Sequence, residues 1–428
     1  LKAVVACQGN QPLQVADHRR LIRAVDRMIE KVREYRLRPK LIEGGTFAMT
    51  SDWLKAMGSG SGSWESIHID TRQALACPSC PMADKEVKRL REGACSPCTV
   101  YMTDFMSQDE SSADSPLDNH NRAVNRVAVF NRQGICRINF NNVLNLMRSL
   151  FEKGILTTEQ TGGIEIDRDY ETVLKLIDMT AKREGFGDIM ADGPLGAARR
   201  LGPEAEKHAI HIKGCSPFID PRSDSMNSMA FAQMVHPGRS NYACGGVGIY
   251  MQERPVSQFV HHAQRTGMSD ETIQQTFTDE LFNTPHLTKH AEDWYSLFNS
   301  LGQCHRLYIH RFHSMDSCLD FYGAITGEEI DAAELLERGE RAWNMQKQLN
   351  VRLGFGREDD AAPEEWFKPM KAADALVPMM DYYKQRVVNR ADTERMLDEY
   401  YDARGWDRDT GAPLPGKLRA LALENYAV

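Results

Sequence analysis

The sequence predicts a mainly α protein made of two multihelical domains. Three observations lead there. Long segments carry apolar residues at helical spacing with charges between them. Strand signals are few. The 428 residues suffice for two or three domains with cores of their own. A change in character near residue 225, after "FIDPRSDSMN", sets the expected division at 1–225 and 226–428.

The elements follow in order. "LKAVVACQGN" opens the chain as an apolar, strand-like run, and "HRRLIRAVDRMIEKVREY" (18–35) is amphipathic at helical spacing. "GSGSGSW" (58–64) and "MSQDESSADSPLDNH" (106–120) read as polar loops, the first placed where it could close over a substrate. "NNVLNLMRSLFEKGIL" (141–156) is a helix with a Lys-Gly stop. "YETVLKLIDMTAKREGFGDIMADG" (170–193) is amphipathic and then broken by glycines. "GEEIDAAELLERGERAWNMQKQLNVRLG" (327–354) is a long amphipathic segment ending in Gly354.

Composition narrows the function classes. The formal net charge of −8 argues against nucleic acid or an anionic membrane as the main partner. No apolar run is long enough to span a bilayer. The chain carries no signal peptide, so a cytoplasmic location is expected. It opens without Met on an apolar run, which reads as the interior of a longer polypeptide.

Ten cysteines in such a chain do not read as a disulfide framework, and their clustering points to metal. Cys77, Cys80, Cys95 and Cys98 give C-x2-C-x14-C-x2-C, close to the spacing of a structural zinc site. The rival is a [4Fe–4S] cluster on Cys77, Cys80, a third ligand and a distant Cys, which the proline after Cys80 favours weakly. A short echo adds to this: "NRQGICR" (131–137) and "NSLGQCHR" (299–306) both read Asn-x-x-Gly-x-Cys. Two similar helix-end turns, each presenting a Cys just after a Gly, suggest equivalent sites around one cofactor. Cys7, Cys215, Cys244 and Cys318 have no partner at ligand spacing and read as packing residues. His310 and His313 lack a nearby acid and read as structural. Glu65 and His68, one turn apart in a helical setting and next to the cysteines, are candidate proton-transfer groups, with a solvated loop pair as the alternative.

"LFEKGILTTEQTGG" (150–163), "AKREGFGDIMADG" (181–193), "DPR" (220–222) and "GERAWNMQKQLNVRLGF" (339–355) carry a resemblance to the aldehyde ferredoxin oxidoreductase family, tungsten or molybdenum enzymes with a bis-pterin cofactor and one [4Fe–4S] cluster. The resemblance runs from the opening residues to about residue 360. It implies that the two helical domains are domains 2 and 3 of that fold, with the β-rich N-terminal domain of the pterin cradle absent from this chain. It also implies a ligand set. Cys77 and Cys80 match the first two cluster ligands of C-x2-C-x3-C, and Asp84 falls on the third. Asn131, Gly134 and Cys136 match one pterin-binding D-x-x-G-L-C turn, and Asn299, Gly302 and Cys304 match the other, with Cys304 as fourth cluster ligand. Both turns carry Asn where the family usually has Asp.

Two departures narrow the branch. "NYACGGVGI" (241–249) lacks the His of the corresponding family stretch, and Cys136 places a thiol where aldehyde oxidoreductases have none. Both features resemble the active-site subunit of the class II, tungsten-dependent benzoyl-CoA reductase branch. That resemblance implies tungsten bis-pyranopterin bound with Cys136 as a tungsten ligand, an aryl-CoA thioester substrate, and two-electron reduction to a cyclohexadiene-carbonyl-CoA. It further implies an iron–sulfur electron-transfer subunit or ferredoxin as partner in a hetero-oligomer. The alternatives are an aldehyde:ferredoxin oxidoreductase and, in another class, a non-catalytic zinc-stabilised helical scaffold on Cys77, Cys80, Cys95 and Cys98.

Overall fold

The structure of the protein is a computed structural model that describes residues 14–36, 38–39, 116–167, 169–217, 219–237, 254–303, 313–372 and 375–426, together with the backbone of three strands at 71–73, 85–88 and 95–97. It is mainly helical, as the sequence predicts.

The first helix, α1 (His18–Glu34), starts where the Asp17 side chain accepts the Arg20 N–H at 2.8 Å. Its apolar spacing puts Ala24 and Val32 inside. It packs on a later helix, where Arg20 Nε and the Arg27 guanidinium both reach Asp320, the former at 2.8 Å. Three short antiparallel strands follow, β1 (Thr71–Gln73), β2 (Lys85–Lys88) and β3 (Cys95–Pro97), with Gln73 opposite Lys85 and Lys88 opposite Cys95. This small sheet in the cysteine-rich stretch was not foreseen from the sequence. Its strands are too short to show a period of two. The opening run "LKAVVACQGN", the glycine-serine loop and residues 106–115 lie outside the described residues.

Helix α2 (Pro116–Gln133) begins within the segment read as a polar loop, because a proline in the first helical turn loses no hydrogen bond. Helix α3 (Arg137–Glu152) starts four residues before the apolar run that announced it and stops at Lys153–Gly154, with Gly154 at φ +69°. Helices α4 (Tyr170–Lys182), α5 (Phe186–Met190), α6 (Gly193–Leu201) and α7 (Pro203–Glu206) complete this group. One apolar cluster, including Phe130, Phe140, Met147, Leu150, Leu176 and Ile177, joins α2 to α7.

The second group comprises α8 (Ser228–Val235), α9 (Val256–Arg265), α10 (Asp270–Thr276), α11 (Thr284–Ser300), α12 (Met315–Thr326), α13 (Ala332–Arg352), α14 (Arg390–Arg404) and α15 (Pro415–Ala420), plus a hairpin of β4 (Met370–Ala372) and β5 (Ala375–Val377). Helix α13 is the long amphipathic segment, opened by a capping box between Asp331 and Glu334. It crosses α11 at Gly339. A Cβ there would stand 2.4 Å from the Asp293 carbonyl oxygen and 2.9 Å from Leu297 N.

Two buried polar knots tie α14 into this group. Arg404, fully buried, holds Glu292 at 2.7 Å and also pairs with Asp293; the Tyr400 hydroxyl donates to Glu292 Oε2 at 2.5 Å. Lys289 extends the knot to Asp293 at 2.8 Å and Glu340 at 3.4 Å. In the second knot, Asp360 takes Lys213 at 2.5 Å, Lys347 at 2.9 Å and the Tyr401 hydroxyl at 2.5 Å. Buried charges are tolerated when paired this way.

Glu292 illustrates the cost of such burial. Its Oε2 carries both partners, while Oε1 has no hydrogen-bond partner among the described residues. Burial pushes its carboxyl up to about 7 against the pull of Arg404. A raised folded-state value means that the stabilisation is complete below the unfolded carboxylate range and is lost as pH rises through 7. Denaturant unfolding of wild type and Glu292→Gln at pH 5 and pH 8 is expected to show wild type losing stability relative to the variant across that interval. The expected loss is on the order of 3 kcal/mol. A pH-independent difference would contradict it.

Candidate functional site: twin turns at helix ends

The echoing segments are the same backbone structure. Helix α2 ends at Gly134, whose φ is +70°, and α11 ends at Gly302, whose φ is +68°. In the first turn, Gly134 N donates to Asn131 O at 3.3 Å and Ile135 N to Phe130 O at 3.1 Å. In the second, Gly302 N donates to Asn299 O at 3.0 Å and Gln303 N to Phe298 O at 2.9 Å. Each pair of bonds is a Schellman motif, which satisfies the last helical carbonyls and needs a left-handed residue that glycine supplies without strain. At both glycines a Cβ would meet nothing within 4 Å among the described residues, so toward these each turn has an open face.

Around the glycines the two turns also agree in burial. Asn131 and Asn299 are exposed, as are Gly134 and Gly302, while the preceding Phe130 and Phe298 are buried. Cys136 is an exposed free thiol in the N-cap position of α3, where it makes no side-chain capping bond. The first turn thus leaves a soft sulfur donor available. Cys304, its counterpart, lies outside the described residues, as do Cys77, Cys80, Asp84, Glu65 and His68. In the sequence the Cys77–Asp84 motif falls between the described strands β1 and β2, whose residues Gln73 and Lys85 are paired. Among the described residues no group of three or more His, Cys, Asp or Glu side chains is arranged to hold a metal ion.

Two residues of the turns went unread in the sequence. Phe130 and Phe298 precede the asparagines, so the echo extends to Phe-Asn-x-x-Gly-x-Cys. Each Phe ring is met edge-on by a second ring: Phe140 on Phe130 at 5.2 Å and 67°, and His313 on Phe298 at 5.1 Å and 89°. Burial, with Lys31 and Arg265 nearby, pushes the His313 imidazole down to about 4, so this ring is uncharged at neutral pH. His313 serves packing, and burial likewise takes up Cys318, whose thiol is pushed up to about 12.

The remaining sequence motifs resolve into scaffold. Arg222 of "DPR" is buried, holds Asp220 through Nε at 2.9 Å, and donates to the Glu365 and Lys368 carbonyls at 2.7 and 2.8 Å. Asp188 and Asp192 of "AKREGFGDIMADG" form a surface box with Arg183 and Arg200. A cavity of about 420 Å³ lies between α11 and α13, lined by His286, Lys289, His290, Asp293 and Glu340 among others. Its Lys289, Asp293 and Glu340 belong to the Arg404 knot, and no residue of either turn lines it.

Comparison with known proteins follows this geometry. Residues 47–423 match the family described as aldehyde ferredoxin oxidoreductase, domains 2 & 3. The tungsten-containing aldehyde ferredoxin oxidoreductase of Pyrococcus abyssi is 25% identical over 300 residues, covering 68% of this chain and 44% of that protein. The aliphatic sulfonate oxidoreductase, WOR-like subunit, of Pyrococcus furiosus is 22% identical, covering 80% of this chain and 49% of that protein. The chain therefore spans less than half the length of these curated relatives. Among solved structures, the active site complex BamBC of benzoyl coenzyme A reductase in complex with 1,5-dienoyl-CoA shares the fold, with a TM-score of 0.69 at 18% identity, covering 98% of this chain and 67% of that one. No described helix is long and apolar enough to cross a membrane. With the family match extending over most of its length and the helical architecture to go with it, the chain belongs to the aldehyde ferredoxin oxidoreductase family, in the region of its domains 2 and 3.

Proposed function

We propose that this chain is part of a tungsten bis-pyranopterin oxidoreductase that reductively dearomatises benzoyl-CoA or a related aryl-CoA. The observation that carries the reading is the pair of turns with the same backbone bonds, at Asn131–Ile135 and Asn299–Gln303, the first followed by the exposed thiol of Cys136. The open faces at Gly134 and Gly302 fit a planar, hydrogen-bonding group laid against each turn. Asn131 and Asn299 would orient it through side-chain amides, which both donate and accept. Cys136 would supply a thiolate to tungsten. When bound, tungstopterin supplies two-electron redox chemistry at the substrate.

The other assigned residues have separate tasks. Cys77, Cys80, Asp84 and Cys304 would hold a [4Fe–4S] cluster, the entry point for electrons from an iron–sulfur subunit or ferredoxin. Asp84 would contribute a harder oxygen donor in place of a thiolate. The ring must take up two protons with its two electrons, and Glu65 or His68 would donate one where negative charge develops. The aryl-CoA thioester and the hetero-oligomeric assembly follow the same reading. The fold likeness to the benzoyl coenzyme A reductase complex supports the reductase branch, as does the thiol at position 136.

The second reading, oxidation of aldehydes to carboxylic acids, is favoured by the names of the curated relatives. Metal content and turnover separate the two. Tungsten and iron in the native protein, with benzoyl-CoA reduction driven by a strong donor, are expected; aldehyde oxidation without aryl-CoA turnover would sink the reductase assignment. Cys136→Ser is expected to lose tungsten coordination. A variant with full tungsten and unchanged aldehyde activity would favour the second reading. Asp84→Cys is expected to keep the cluster and shift its potential, and an unmoved potential would mean that the ligand assigned to Asp84 lies elsewhere.

A further inference from the structure

The two turns differ in how their helix ends are closed. A Schellman turn is commonly sealed by an apolar contact between the residue after the glycine and the residue four positions before the glycine. In the first turn that residue is Ile135, apolar and packed against the cluster of α2 to α7 to which Phe130 belongs. In the second turn the equivalent residue is Gln303, polar and exposed, so that contact is missing. Phe298 is nevertheless fully buried. Trp294 covers one side at 4.7 Å, and the His313 ring stands on it at 89° and 5.1 Å. His313 is itself only 8% exposed.

We infer that His313 is the positioning residue of the second turn, its ring replacing the missing apolar seal and fixing the Phe298 carbonyl that anchors Gln303. This inference rests on the functional reading only in what the turn is for. If Asn299 holds a cofactor group, the ring sets its place, because Phe298 is the residue immediately before Asn299. Phe140 stands in the same edge-on relation to Phe130, so an aromatic hydrocarbon ring suffices for the task. A phenylalanine at 313 should therefore serve where an alanine cannot, since alanine removes the ring and leaves a void beside Phe298.

Amide hydrogen exchange on the full chain, read residue by residue, tests this without any activity assay. In His313→Ala, the Gln303 and Gly302 amides are expected to exchange about tenfold faster or more than in wild type, with Ile135 in the first turn unchanged. His313→Phe is expected to restore the wild-type rates. Unchanged Gln303 exchange in the alanine variant overturns the inference, and so does a phenylalanine variant that exchanges as fast as the alanine one. Should His313→Ala fail to fold, His313→Phe alone decides: wild-type Gln303 protection supports the inference, and lost protection overturns it. Iron content and the reduced-cluster spectrum of the same proteins report on the functional reading separately. Wild-type protein without iron would sink that reading while the exchange rates still decide the role of the ring.

Discussion

The Arg404 guanidinium is the constraint on which the second helical group depends. It is fully buried, at the last position of α14, and its partners Glu292 and Asp293 lie mid-way along α11. A cation in that position demands anions close by, so the register of α14 against α11 is fixed by charge as well as by shape. The ring faces of Trp343 and Tyr400, each 5.4 Å from the guanidinium carbon, complete its surroundings. Helix α13 can then cross α11 only where a residue without a side chain allows it, and Gly339 provides that point.

This matters because α11 has two jobs. Its middle is clamped by the ion network and by Gly339, and its end is the second twin turn. A turn offering backbone and amide groups to a large cofactor has to be held from behind, since its open face cannot contribute to its own rigidity. Both turns rest on apolar clusters, the first on the one that holds Phe130 and Phe140 and the second on the one that holds Phe298, Trp294 and Leu297. The second turn differs in having the ion network along the same helix and the His313 ring on Phe298.

The family motifs fall into two classes by what they touch. "DPR" and "GERAWNMQKQLNVRLGF" are scaffold: Arg222 clasps two distant carbonyls, and Gly339 permits the helix crossing. The Phe-Asn-x-x-Gly turns are surface elements in which the asparagine and the glycine are exposed. Membership in the aldehyde ferredoxin oxidoreductase family over domains 2 and 3 is thus carried as much by packing as by the candidate site.

The sequence by itself determined the helical class, because apolar residues at positions such as Val143, Leu144, Met147 and Leu150 recur at a period that only a helix can bury on one face. It also determined that the turns at Asn131–Ile135 and Asn299–Gln303 share one backbone form, since glycine at a helix end is a local signal. Helix starts were less legible. Both α2 and α3 begin earlier than their apolar runs, where backbone bonding extends into polar residues. The short sheet around the cysteines was invisible for want of a period. Only the tertiary structure decided what stands behind the turns. Nothing local in the sequence connects Arg404 to Glu292, or His313 to Phe298, because those partners meet through helix packing. Phe298 and Phe130 were in plain view in the sequence, but their role became readable only when the rings that cover them were in place.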